Sequence, residues 1–173
     1  MTTLTVLSFH DIGVAVIADL NTALAAGPTP APTRSGMVPG GIAWDSCGSG
    51  GCAQLAVSIS RLFLSSEFPL DLVADMTACS APLICADYVC QLVRCVPNPD
   101  QGGNPPASAA LEAAAQVIDL DAELLLPTIA CTLQGLYDTS AIGNYLVRSA
   151  PVVGPSGGCA GVQVNFTVSR VRY

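Results

Sequence analysis

Apolar positions along this chain change period several times, and each change marks an element. From Ser8 to Ala26, Ile12, Val16, Leu20 and Leu24 recur at spacing four, the mark of one helix face. Ser8 and Asp11 form a capping pair at its start. Gly27 can cap its end, and Pro28, Pro30 and Pro32 forbid continuation. Gly36–Trp44 has weak strand character. Ala53–Leu64 has more: Leu55, Val57 and Ile59 alternate with Gln54, Ser58 and Ser60. A long connection, Ser65–Pro82, exceeds what a hairpin needs, and loops of this kind are often functional. Leu83–Val96 is the best strand in the chain, and Pro97–Pro106 breaks all periodicity.

Asn104 followed by Pro105 makes an N-cap and first-turn pair for a second helix. That helix carries Leu111, Ala114, Ala115, Ile118 and Leu125. Pro127 ends or kinks it, and a further helical stretch, Thr128–Leu136, follows. Val147–Val153 is a short strand. Gly161–Val171 is the last, with Val162, Val164, Phe166 and Val168 on one face and Gln163, Asn165, Thr167 and Ser169 on the other. The order is α-β-β-β-α-β, an α+β class with one mainly antiparallel sheet flanked by two helices. The layout is one domain over 1–173: an N-terminal helix at 1–26, a Pro-rich linker at 27–35, and a sheet over 36–173 containing the long helix 105–136.

Composition narrows the function classes. Hydrophobic residues make up 51% and charged residues 11%, so a lone subunit exposes apolar patches of the kind that mark interfaces. All six basic residues are arginine, and the net charge of −7 argues against binding nucleic acid by phosphate neutralisation. No run of 18 apolar residues occurs, so no membrane span is expected.

The eight cysteines fall into two groups. Cys85, Cys90 and Cys95 are five apart on one strand, so neighbours point to opposite faces and sit about 16 Å apart. They cannot share a metal, and with Cys131, expected to face the core from its helix, they are read as packing residues, with a disulfide for one of Cys85, Cys90 and Cys95 as the alternative. Cys47, Cys52, Cys79 and Cys159 lie in Gly- or Ser-flanked loops at strand ends and are candidate disulfide staples. Two disulfides, unpaired thiols or a Cys₄ zinc site stay open for these four. Zinc is disfavoured, because only one C-x₄-C spacing exists where structural sites show paired knuckles. The N-terminus has neither a basic segment nor an unbroken apolar stretch, so no export signal explains a disulfide framework.

Other chemistry is thin. His10 is the only histidine and opens a helix, where neighbours in sequence do not face each other. Asp119, Asp121 and Glu123 are expected to form a solvated helix face. Gly48–Gly51 is glycine-rich but no Lys-Ser/Thr follows it, so it is not a phosphate loop. The expectation is a non-enzyme without catalytic residues, metal or cofactor.

Particular strings carry more than composition. Ala43–Cys47, Cys52–Ser58, Phe68-Pro69, Cys79–Leu83, Arg94–Asp100, Gly103–Ala107 and Val153–Cys159 resemble a pattern in virion proteins of tailed phages of actinobacteria. The resemblance runs from about Trp44 to Val168 and is best for the tail terminator of the head-to-tail connector. It implies a tail-terminator-like sheet flanked by helices, assembled as a hexameric ring on the tail tube. The implied partners are copies of itself, the tail tube protein and the head-side stopper, with genomic DNA passing through the lumen without specific binding. The implied location is the virion, at the head–tail interface, after synthesis in the host cytoplasm. A head–tail stopper or adaptor is the alternative in the same connector. A cysteine-rich extracellular binding module, with fully paired cysteines, is the alternative from another class. A virion protein matures in a reducing cell and persists outside it, which suits late-forming loop disulfides.

Overall fold

Ser8 starts the first helix with a reciprocal cap: its hydroxyl accepts from Asp11 N, and the Asp11 carboxylate accepts from Ser8 N. The computed structural model describes residues 7–41, 53–71, 83–156 and 158–170. The first helix, α1, is Phe9–Ala26, and Gly27 N closes it on Leu24 O. Length and composition alone would let α1 cross a membrane. Its apolar stripe, Ile12, Val16, Leu20 and Leu24, is instead buried in the protein core.

Three strands follow: β1 (Arg34–Met37), β2 (Gln54–Ser65) and β3 (Leu83–Cys95). The expected first strand begins two residues earlier than its sequence suggests and ends at Met37; the remainder of that expectation, beyond Gly41, lies outside the described residues. Gly13 allows β1 to approach α1, because a Cβ there would meet Met37 Sδ at 2.3 Å. The second helix, α2, is Ser108–Asp138, with Pro127 inside it, so the two expected helical stretches are one. At about 1.5 Å per residue it is about 46 Å long. Its start also departs from expectation. Ala107 is the N-cap and makes no side-chain bond. Asn104 is held elsewhere, donating N–H and Nδ2–H to the Asp100 carboxylate at 2.9 Å each, which also pulls that carboxyl below its ordinary pKa.

The expected strand over Val147–Val153 is two short ones, β4 (Tyr145–Val147) and β5 (Val152–Ser156), followed by β6 (Cys159–Ser169). The residues between β4 and β5 stay tethered to β6 through Arg148 N to Asn165 O and Gln163 N to Pro151 O. Proline has no donor, so Pro151 and Pro155 prevent a continuous ladder.

The strands form one sheet in the order β1-β2-β3-β6-β4, with β5 also on β6. Only β1–β2 is parallel. The protein is therefore α+β, a mainly antiparallel sheet with two helices. α1 packs on β1 and β2, α2 packs on β6 and β4, and the helices touch each other. Between helices and sheet lies one apolar core: Leu55 and Val57 of β2, Tyr88, Cys90 and Leu92 of β3, Val162–Val168 alternately from β6, and Ile118, Leu125, Ile129 and Leu133 of α2. Tyr88 stacks on Phe166 at 4.7 Å, and its hydroxyl donates to Phe9 O at 2.8 Å.

A bulge in β2 between Ile59 and Arg61 reverses which residues face the helices. Before it, Leu55, Val57 and Ile59 do. After it, Leu62 and Leu64 do, and Arg61 and Phe63 turn to the other face. Gly161 lets β6 lie close against β3: a Cβ there would lie 2.0 Å from Leu92 O.

Candidate functional site: polar clusters on the two faces of the sheet

Side chains that carry charge or hydrogen-bonding capacity gather in two places. The first is inside the helix-covered layer. Along β3, the positions facing the helices run Tyr88, Cys90, Leu92 and then Arg94. Arg94 meets Asp121 of α2 in a two-point pair, Nε to Oδ2 at 2.7 Å and Nη2 to Oδ1 at 2.8 Å. The remaining capacity is taken up by the α1–β1 linker. Thr29 Oγ1 donates to Asp121 Oδ1 at 2.7 Å, and Arg94 Nη1 donates to Pro30 O at 2.6 Å. The Asp121 side chain is 1% exposed. Such a pair gives little net stability over apolar packing, but removing one member leaves a buried charge. Its work is positional: it fixes strand, helix and linker in one register.

Asp121 thus corrects the expectation of a solvated acidic face. Asp119 and Glu123 are exposed, but Asp121 falls on the buried stripe with Ile118 and Leu125. The signal was present in the spacing of 118, 121 and 125, and in one arginine on the apolar side of an alternating strand.

The second cluster lies on the opposite face. Arg61 Nε and Nη2 donate to Asp87 Oδ2 at 3.0 and 2.8 Å, and Nη1 donates to Asp71 Oδ2 at 2.7 Å. Its guanidinium also sits 4.4 Å from the Phe63 ring centroid. Thr167 Oγ1 donates to Asp87 Oδ1 at 2.6 Å, and Arg148 Nη2 approaches Thr167 Oγ1 at 3.4 Å. Arg61, Asp87, Thr167 and Arg148 border a cleft of about 220 Å³ with Ser60 and Asn165. Further along the face, Gln91 donates to Gln163 and Gln163 to Asn165. The cluster is a hydrogen-bonded polar face. Its two arginines are balanced by two carboxylates, so it does not present a net cationic site.

The cysteines divide differently from expectation. Cys159, a candidate staple, is buried at the start of β6 and is disulfide-bonded. Cys95, grouped with the packing residues, is exposed at the end of β3 and is also disulfide-bonded. The two face each other across the β3–β6 ladder. Cys47, Cys52 and Cys79 lie outside the described residues. Cys85 and Cys90 are free and buried. Burial, helped by the nearby Asp87 charge, pushes the Cys85 thiol up to about 11, and burial alone pushes Cys90 up to about 12. Cys131 is free but exposed, correcting the expectation that it faces the core. It lies off the α2 stripe, beside a cleft of about 710 Å³ between α1 and α2.

His10 Nδ1 is 3.7 Å from Asp11 Oδ1, closer than helix geometry suggested, and both side chains are exposed. Hydrogen bonds from Ser8 hold the Asp11 carboxyl below its ordinary pKa. Among the described residues no group of three His, Cys, Asp or Glu is placed to hold a metal. No protein-family model and no curated protein matches the chain.

Proposed function

We propose that this protein is a ring-forming structural component of a tailed-phage virion, the tail terminator that caps the tail tube and joins it to the head-side connector. The observation that carries this reading is the set of loop strings from Trp44 to Val168 that resemble the actinobacterial phage proteins. The α+β architecture supports it, since a sheet flanked by helices is the fold the resemblance implies. Low charge content supports it too, because ring closure buries apolar surface that a monomer would expose. The lumen conducts DNA without binding it. An acidic lining arises if the helix layer, which displays Asp19, Glu112, Asp119 and Glu123, faces the channel.

Imaging of particles carrying a labelled copy tests the location directly: signal is expected at the head–tail junction, and its absence from particles overturns the reading. Depletion during infection then separates the roles. Loss of a terminator leaves DNA-filled heads beside unattached, overlong tails. Normal-length tails with leaking heads would assign the stopper role instead.

A further inference from the structure

The two edges of the sheet are unlike, and they are complementary. On one side, β1 covers only Gln54–Val57 of β2. From Ser58 to Ser65, no strand among the described residues pairs with the outer edge of β2. On the other side the outermost strand is β4. The ladders place both at one level: Tyr145–Val147 pairs with Phe166–Val168, which pairs with Ala86–Tyr88, which pairs with Ile59–Leu62. Each of those pairings is antiparallel, so β4 runs opposite to β2. A β4 strand from another copy, laid against β2, would continue the same alternation.

Side chains reinforce the match. The bulge turns Leu62 and Leu64 to the helix side, where α1 and α2 leave them 59% and 38% exposed beside Ile84 at 43%. At the β4 edge, on that same side, Tyr137 is 47% exposed and packs edge-on against Tyr145, with ring centroids 6.1 Å apart. An aliphatic patch and an aromatic pair thus sit at the same level and on the same side of opposite edges. The bulge at Ser60 interrupts the edge, as edge strands that resist indiscriminate pairing often do. It leaves the short run Arg61–Ser65, offset by about two residues from the level of β4, for a strand as short as β4.

We propose that copies of this chain associate head to tail, β4 of one pairing antiparallel with Arg61–Ser65 of the next, and Tyr137 and Tyr145 covering Leu62, Leu64 and Ile84. Every copy carries one of each edge, so the contact is heterologous and generates a ring when the rotation closes. Strand addition supplies main-chain hydrogen bonds and the apolar cover supplies side-chain burial. This names the subunit contact of the ring proposed above and rests on that reading.

The test combines light scattering over a concentration series with photo-crosslinking from a benzoylphenylalanine placed at Leu62, in mixed isotopically heavy and light chains. Crosslinks are expected between copies, landing in 137–147. The double variant Leu62→Asp/Leu64→Asp, and independently Tyr137→Ala, should raise the concentration for half-assembly by more than about tenfold. Their circular dichroism and melting should stay as in the parent, and Val14→Asp, an exposed apolar site on α1, should assemble normally. An assembly whose crosslinks land elsewhere, or variants that assemble like the parent, overturns this contact and leaves a ring standing. A strict monomer up to millimolar concentration also overturns the contact. The virion reading fails separately, when particles lack the protein.

Discussion

The two faces of the sheet solve the same problem by different means. The helix-covered face is apolar almost throughout and admits one charged pair, Arg94–Asp121, which it buries and saturates with hydrogen bonds. The opposite face combines hydrogen-bonded side chains, with Arg61, Asp87 and Thr167 at one level and Gln91, Gln163 and Asn165 at another, with a small apolar cluster of Ala56, Val93 and Cys159. The same residue types therefore differ in consequence. A charge pair shielded from water sets the register of three elements, whereas one half in water adds little beyond local order.

The largest effect that this contrast implies is at Asp121. Replacing it with alanine strands the Arg94 guanidinium in the core and should lower unfolding free energy by about 3–5 kcal/mol, read by urea denaturation. Arg94→Met/Asp121→Leu together should recover much of that loss. If the single variant is nearly neutral, the buried pair is not the clamp described. Next comes the disulfide at Cys95, at the end of β3. Cys95→Ser should cost about 2–5 kcal/mol under oxidising conditions and nothing in reductant. An equal loss with and without reductant would assign the effect to packing.

A smaller effect is expected on the polar face. Arg61→Ala removes contacts to Asp87 and Asp71, but its side chain is half exposed, so the loss should be at most about 1 kcal/mol and should shrink with added salt. A loss comparable with that at Asp121 would erase the distinction between the faces. The smallest signal is chemical. At pH 8 alkylation followed by peptide mapping should modify Cys131 and spare Cys85 and Cys90. Their folded thiol pKa values lie above the ordinary 9.0, at about 11 and about 12. Raised values contribute stability fully below pH 9, and that contribution should decline as pH rises toward the folded values. Native labelling of Cys90 near neutrality would show that β3 opens locally.

Much of the fold was legible because its signals are local. The Ser8–Asp11 cap, the spacing of Ile12 to Leu24, and the alternation through Val162–Val168 each depend on residues a few positions apart. The misreadings involve partners far along the chain or a shift in register. Asn104 looked like a cap but is captured by Asp100. Asp121 looked solvated until Arg94, 27 residues away, was placed against it. The bulge at Ser60 shows in the sequence only as a change of phase, from apolar positions 55, 57 and 59 to 62 and 64, which Phe63 at the intervening position blurs. Cys95 and Cys131, both expected to pack inside, are both exposed for similar reasons: exposure at a strand end and rotation of a helix are set by neighbours.

The sequence by itself determined the order and kind of elements, since hydrogen-bonding period and apolar spacing act over a few residues. It also determined the scarcity of charge. The tertiary structure alone decided which charge is buried, which cysteines face outward, and which strand edges lie at one level. Those are properties of surfaces assembled from distant segments. A residue's neighbours in space are fixed only when sheet register and helix rotation are fixed together.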